Sequence, residues 1–291
     1  MQQHKTLLTK KVLPLIAAMV LPSVAQAGQT EAPMAPAPQS DCEAGWTLGM
    51  EAMALRPFQS EGGYDEDGYD FGGRLSLGYQ FNDCLFTKVT FFGYKTDTFD
   101  ERGTFFHDQG DLEVSYLDAV VGQHFRPSDK LTLSPYAGLR WATFDEGIDL
   151  LDDGEGVSRY TEDHEFSGLG IVVGIDGVRA LGAGFSLYGT AKQSVVFGSS
   201  DNSFRDTFQG QTRDSASESD DRVVSITELG LGVQYDFGFS GIAANIRAGV
   251  EGQWWGGLSG ASGDGFDDSD QGGDSENTGL AGFVLGANFR F

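Results

Sequence analysis

The chain has 291 residues, with 43 aspartates and glutamates against 19 lysines and arginines, so its formal net charge is −24. Such a charge argues against nucleic acid as a partner, because binding needs cations that displace phosphate counterions. Two cysteines are too few for a disulfide-rich miniprotein or a cysteine-based zinc module. The 42 glycines and 22 phenylalanines together favour a β-barrel with aromatic girdles outside and small residues inside.

The amino terminus has the pattern of a secretory signal peptide. Three lysines and no acidic residue open the chain, a mostly apolar stretch follows, and Ala25-Gln26-Ala27 has the small-x-small form of a cleavage site. We therefore expect residues 1–27 to be removed. A membrane anchor is the alternative, but an apolar run of about 13 residues that prolines interrupt is too short to span a bilayer. Residues 28–44 are predicted to form a flexible periplasmic leader, since prolines and polar residues dominate there.

The rest of the chain alternates apolar and polar residues with a period of two, which predicts strands. In the last segment Phe283 and Leu285 share a face that suits lipid, while Gly286 and Arg290 share a face that suits a lumen. No later segment has 18 consecutive apolar residues, so the chain would cross a membrane as a closed barrel. Ten segments show the pattern: 45–56, 70–81, 85–97, 112–125, 131–144, 166–180, 185–197, 223–237, 242–255 and 278–291.

The connections between these segments are alternately long and short. Short turns follow the second, fourth, sixth and eighth segments, as expected for the periplasmic side of an outer-membrane barrel. The predicted fold is all-β: a transmembrane antiparallel up-and-down β-barrel over residues 45–291 with ten strands, or eight or twelve if one hairpin is misjoined. Five long acidic external loops are expected at 57–69, 98–111, 145–165, 198–222 and 256–277.

The carboxy terminus has the form of an insertion signal. Phe291 is the last residue, and it shares a face with Phe283, Leu285 and Phe289. This looks like the terminal address of bacterial outer-membrane proteins. We therefore expect the barrel-assembly machinery, outer-membrane lipid and lipopolysaccharide as partners, and the bacterial outer membrane as the location.

The two cysteines, Cys42 and Cys84, fall at the periplasmic rim of the predicted barrel, before the first strand and in the turn after the second. Because the periplasm is oxidising, we predict a disulfide between them. Two unpaired thiols are the alternative. A metal site made from two cysteines alone is not expected.

Charge is distributed unevenly along the chain, because 31 of the 43 acidic residues fall in five windows around the predicted loops. Cations and anions balance at the predicted lumen positions, where Glu113 and Asp236 are further candidate anions. Two interpretations stay open: a narrow, cation-favouring pore with an acidic mouth, or a closed barrel filled by its own salt bridges. Inward glycines that leave room favour the pore. The candidate selectivity residues are Glu51, Arg74, Lys88, Arg140, Asp176, Lys192, Glu228, Arg247, Glu251 and Arg290.

Enzymatic function is not expected. A barrel protease needs an Asp–His pair beside paired carboxylates, and His107-Asp108 and Asp163-His164 lie in acidic stretches where such neighbours arise by chance. No G-x-S-x-G motif occurs. We predict no cofactor and no specific metal site, and expect diffuse cation binding that bridges to lipopolysaccharide. Aromatic residues near strand ends, including Trp254-Trp255, are predicted to form membrane girdles.

Two blocks of the sequence resemble a known family. FSGLGIVVGIDGVRALGAGFSLYGTAKQSVVFG, residues 166–198, and GWTLGMEAMALRP, residues 45–57, are similar to the Legionella-type major outer membrane protein family. The resemblance implies a pore-forming outer-membrane barrel and no catalytic residues. The cysteine-linked assembly of that family is not expected here, because one internal bond accounts for both cysteines.

The preferred function is passive diffusion of small solutes or ions through a narrow pore that favours cations. The alternative is a closed structural or adhesin-type barrel that acts through its acidic loops. The oligomeric state stays open.

Overall fold

The computed structural model describes residues 42–59, 68–102, 106–152, 157–239, 241–258 and 277–291. The predicted signal peptide and most of the predicted leader lie outside these residues. Within the described ranges no helix has the length and apolarity needed to span a membrane. The strands are β1 Gly45–Gln59, β2 Asp70–Gln80, β3 Leu85–Arg102, β4 Phe106–Gln123, β5 Phe125–Ser128, β6 Leu131–Asp152, β7 Ser158–Gly182, β8 Phe185–Phe208, β9 Gln211–Phe239, β10 Ile242–Gly256 and β11 Thr278–Arg290.

Ten of these strands form a closed antiparallel barrel. Each pairs with its neighbour in sequence, except that β4 pairs with β6 and β1 pairs with β11. The four-residue β5 is an additional strand that pairs with β6. Closure leaves no unpaired edge, as a lipid environment requires. The predicted all-β fold and the count of ten barrel strands are confirmed.

The two faces of the strands have opposite chemistry. Outward positions carry exposed aliphatic and aromatic side chains, such as Leu231 and Leu285, the latter 64% exposed. The positions between them point into the lumen, where Val284 and Glu228 are buried. Because successive side chains of a strand point to opposite faces, one alternating sequence supplies both the lipid surface and the interior.

Four strands are much longer than a membrane crossing. β6, β7, β8 and β9 have 22, 25, 24 and 29 residues, whereas a tilted transmembrane strand needs about 9–11. Much of the sequence predicted as loop at 145–165 and 198–222 is therefore paired strand that continues beyond the lipid-facing band. The β8–β9 hairpin turns at Gln209 and Gly210, both with positive φ, as a two-residue hairpin turn of the right twist requires.

The opposite end of the barrel has short turns and the disulfide. Cys42 is bonded to Cys84, with their Cα atoms 5.1 Å apart. The backbone N–H of His124 donates to the carbonyl of Cys84 at 2.9 Å, which links this turn to the end of β4. The predicted disulfide is confirmed, and it ties the segment before β1 to the turn after β2.

Candidate functional site

The middle of the lumen is occupied by a charge cluster, defined as Glu51, Arg74, Asp118, Arg140, Lys192, Glu228, Arg247 and Glu251. These four cations and four anions come from seven strands. Strand register brings several of them together directly: Glu51 lies opposite Arg74, Asp118 opposite Arg140, and Lys192 opposite Glu228. Arg247 and Glu251 of β10 reach the same cluster through their contacts with Glu51 and Arg74.

Arg74 contacts three of the carboxylates. Its guanidinium donates to Glu51 at 2.7 Å and to the two oxygens of Glu251 at 2.5 and 3.0 Å. One of its terminal nitrogens also lies 3.3 Å from Glu228. The planar, multiply donating guanidinium suits such a set of acceptors, which a lysine could not satisfy in the same geometry.

Glu228 is the centre of the cluster. One of its oxygens accepts hydrogen bonds from Lys192 Nζ and from Tyr116 Oη, each at 2.8 Å. The other lies 2.6 Å from Arg140 Nη2, an ion pair outside hydrogen-bond geometry. Arg140 also donates two bonds to Asp118, at 2.6 and 2.7 Å. Both Arg140 and Glu228 have no exposed side-chain surface, so water does not reach these two side chains.

Arg247 completes the cluster by reaching Glu51 across β11. Both residues lie opposite Gly286, and their side chains form an ion pair. A Cβ on Gly286 would lie 3.1 Å from the Glu51 side chain and 3.2 Å from that of Arg247. The glycine therefore leaves the space through which the two side chains meet.

Two members of this region were missed in the sequence. Tyr116 donates to Glu228, accepts from Lys192 and Arg74, and lies under Arg140 with the guanidinium 3.9 Å from the ring centroid. Asp118 is likewise absent from the predicted lumen residues, although its neighbours Leu117 and Ala119 are exposed on the outer face. Val114, Tyr116 and Asp118 are alternate residues of β4, so they share one face of the strand. The apolar Val114 could have indicated that Tyr116 and Asp118 also point inward.

A buried apolar layer lies next to the charge cluster, on the side away from the disulfide. It includes Phe92, Phe144, Phe166, Ile226 and Trp255, all essentially without exposed surface. The predicted girdle role of Trp255 is wrong: it is an odd-numbered β10 residue and shares the inward face with Glu251 and Gln253. The lumen is thus filled twice, by charge and by apolar packing.

On the disulfide side of the cluster lies a periplasmic cavity of about 300 Å³, lined among others by Lys88, Tyr136, Asp176, Tyr188 and Arg247. Lys88 and Asp176 form an ion pair at 3.4 Å, and their side chains are 29% and 36% exposed. Solvent therefore reaches the cavity, and Arg74, Asp118, Lys192 and Glu251 of the charge cluster form part of its wall.

The inward glycines were expected to leave room for a pore, and the structure gives two of them another role. A Cβ on Gly174 would lie 2.5 Å from the hydroxyl of Tyr136, and a Cβ on Gly249 would collide with the hydroxyl of Tyr188. Large aromatic side chains lie over these glycines and occupy the space. Because Gly174 and Gly249 have no side chain, the rings of Tyr136 and Tyr188 from other strands can pack over them.

The remaining predicted residues lie away from the cluster. Glu113 was expected in the lumen, which is wrong: it is exposed on the outer face and pairs with Lys95 at 3.3 Å, because it has the opposite parity to Tyr116. Asp236 accepts from Ser186 at 3.2 Å near the short turns. Arg290 lies at the end of β11 on the inward face. Phe283, Leu285 and Phe291 are exposed and Phe289 is partly exposed; their role as an insertion signal stays a prediction.

The Asp163-His164 pair does not come together as a catalytic pair. Asp163 faces outward, whereas His164 is buried, contacts Phe144 edge to face and is hydrogen-bonded through Nδ1 to Asn202. Burial lowers the pKa of His164, and the nearby Arg222 lowers it further. The side chains of His107 and Asp108 lie outside the described residues. Among the described residues no group of three or more His, Cys, Asp or Glu side chains could hold a metal ion.

A closed ten-stranded antiparallel barrel with an aliphatic and aromatic outer face and a charge cluster inside is the architecture of a bacterial outer-membrane β-barrel protein. Residues 39–291 match the model of the Legionella pneumophila major outer membrane protein precursor family, and the chain belongs to that family. No curated protein matches the chain significantly.

Several solved structures are similar in outline. A major outer membrane protein from Thermus thermophilus is 15% identical, with 85% of this chain and 99% of that one covered and a TM-score of 0.39. Neisserial surface protein A is 14% identical, covering 86% and 99%, with a TM-score of 0.32. The outer membrane protease OmpT of Escherichia coli is 9% identical, covering 85% and 95%, with a TM-score of 0.39.

Proposed function

We propose that this protein is a closed outer-membrane barrel that acts through the extended strands it presents outside the membrane, as a structural or adhesin-type surface protein. The observation that carries the proposal is the burial of Arg140 and Glu228 at the centre of the lumen. The apolar layer that includes Trp255 blocks the same path a second time. An ion would have to shed its hydration shell to pass these buried side chains, which is costly.

Passive diffusion of small solutes or cations is the second candidate function. The solvent-reached periplasmic cavity favours it, because half of a path already exists. Diffusion through the barrel requires a second conformation in which the side chains of the charge cluster and of the apolar layer no longer fill the lumen. The selectivity roles of the lumen residues belong to this second candidate.

Planar-bilayer recordings distinguish the two candidates. We expect the folded, inserted protein to give no stable conductance steps in a KCl gradient. Folding of the same preparation is checked by its heat-dependent mobility on gels, so that silence is not confused with a failure to fold. Stable steps with a reversal potential of cation sign would contradict the closed barrel and support the diffusion pore.

We further propose that acidic positions on the outer face attract divalent cations that bridge to lipopolysaccharide phosphates. Glu113, Asp145, Glu165 and Asp201 occupy successive strands at one level, above the lipid-facing Leu169. Burial raises the pKa of Asp145, and the neighbouring Glu165 and Glu113 raise it further. Binding of lipopolysaccharide vesicles should then weaken with a chelator, and weaken less in a variant with E113Q, D145N and E165Q. Equal chelator sensitivity in both would contradict this.

Enzymatic activity is not part of the proposed function. Of the two predicted His–acid pairs, only Asp163-His164 has described side chains, and these point to opposite faces of β7. General acid–base catalysis needs both groups within reach of one substrate. Assays of peptide and lipid A cleavage by the refolded protein should therefore give no turnover.

A further inference from the structure

The periplasmic cavity has the chemistry of a binding site. We propose that it binds a small neutral polyhydroxylated solute of monosaccharide size. Its volume of about 300 Å³ lies at the lower end of the range for ligand pockets. The proposal goes beyond the closed-barrel function and does not depend on it, because a cavity that faces the periplasm can be loaded from that side whether or not the lumen opens.

Charge pairing in the cavity favours a neutral ligand. Lys88 is paired with Asp176 at 3.4 Å, Lys192 with Glu228 at 2.8 Å, and Arg247 with Glu51. Asp176 also accepts a hydrogen bond from Thr190 at 2.8 Å. The ring of His124 shares a hydrogen bond with Ser134 at 2.7 Å. A charged ligand would have to break one of these pairs or be buried without a counterion, which is unfavourable.

A buried donor in the cavity wall points to a ligand that makes hydrogen bonds. Arg247 Nε has no hydrogen-bond partner among the residues that the structure describes, and the buried hydroxyl of Tyr136 lies beside the hydroxyl of Thr190 in the same wall. Buried polar groups in native proteins are almost always paired. Arg247 Nε is a donor only, whereas a tyrosine hydroxyl both donates and accepts. A ligand hydroxyl can serve both, since it also donates and accepts.

The rest of the lining suits the same ligand. Hydroxyl and amide side chains predominate among its uncharged polar groups, for example Ser76, Gln234 and Asn245. The amides of Asn288 and Asn245 are already oriented by a hydrogen bond of 2.9 Å between them. Apolar surface comes from the rings of Phe86 and Tyr188, so a ligand with both hydroxyls and C–H faces is complementary to this mixture.

The first test is a ligand-observed NMR titration of the full-length barrel in detergent micelles. Glucose is the neutral probe, with glucosamine and glucose 6-phosphate as its cationic and anionic counterparts. We expect glucose to bind at least ten-fold more tightly than either charged probe. No saturation transfer to glucose, or tighter binding of a charged probe, would overturn the proposal. The measurement is made without a bilayer, so it is separate from the conductance result.

Variants connect the binding to this cavity. Tyr136→Phe removes a hydroxyl from the cavity wall and keeps the ring, and should weaken glucose binding about five-fold, the value of one neutral hydrogen bond. Tyr160→Phe is the matched control: its hydroxyl donates to Glu162 far from the cavity, so its glucose affinity should be unchanged. In N288C, with Tyr136 intact, glucose should slow thiol labelling. Unchanged affinity in Y136F together with unslowed labelling in N288C would show that glucose binds elsewhere.

Discussion

Arg74 on β2 is joined to Glu251 on β10 by two hydrogen bonds, of 2.5 and 3.0 Å, across the two strands that separate them. Those strands are β1 and β11, the first and last of the barrel, and their pairing is what closes it. The contact therefore exists only once the chain ends have met. The charge cluster can therefore form completely only after the barrel has closed.

Removing the central carboxylate should destabilise the barrel strongly. Glu228→Gln takes the negative charge from three cations, Arg74, Arg140 and Lys192, that are buried with it. Breaking one partner of a buried ion network costs about 3–5 kcal/mol. Urea unfolding followed by tryptophan fluorescence should show a loss of about this size.

The chain offers a matched control for that change. Asp149→Asn also removes a carboxylate paired with an arginine, Arg159, but this pair is exposed on the outer part of β6 and β7. Exposed pairs contribute little because water and salt screen them. The urea midpoint of D149N should stay close to that of the wild-type protein. Equal losses in both variants would mean that burial is not what makes Glu228 important.

The disulfide should stabilise the barrel through the unfolded state. Cys42 and Cys84 are separated by 42 positions, and closing a loop of this length is worth about 4 kcal/mol in the chain-entropy model. Replacing both residues by serine should lower the free energy of unfolding by about that amount. A reductant should destabilise the unchanged protein and leave the double variant unaffected; a reductant effect on both would assign the loss to another cause.

The sequence was sufficient for the barrel because lipid imposes a strict alternation. Once β11 was divided into a face with Phe283 and a face with Gly286, the same parity rule placed the charged residues of the cluster, except Asp118, on the inward face. The rule failed where alternation carries no hydrophobic signal. In the stretch around Ser203 and Ser217, serines and acids resemble a loop, yet backbone pairing continues to the turn at Gln209.

Whether the lumen is open could not be derived from the same residues. Parity places Glu228 and Arg140 inside, but their burial depends on which side chains cross the barrel to meet them. Inward glycines are compatible with empty space and with a ring packed over them, as Tyr136 over Gly174 illustrates. The choice between empty space and a packed ring depends on the positions of residues from distant strands along the barrel axis. Strand tilt and register set those positions.

The buried histidine of the outer strands should make stability depend on pH. The pKa of His164 in the folded protein lies below its ordinary value of about 6.5, because burial and Arg222 disfavour its charged form. The unfolded chain then binds the proton more readily, so stability is lost as the pH falls below about 6.5. His164→Gln should show a shallower decline between about pH 7 and 5 in urea unfolding. Identical pH profiles would exclude His164 as the cause.

Opening the lumen should require changes in both of its layers. Replacing Arg140 and Glu228 together by alanine removes the central ion pair and leaves Asp118 and Lys192 without these partners, so folding of the variant is checked first. Phe144 and Trp255 still fill the lumen on the other side. Replacing only Phe144 and Trp255 by alanine leaves the charge cluster intact. We therefore expect both double variants to be silent in planar bilayers and the quadruple variant to conduct. Each double variant keeps one layer intact. Conductance from either double variant would therefore show that the layer it keeps does not stop ions by itself, and would contradict the prediction that both layers must be changed.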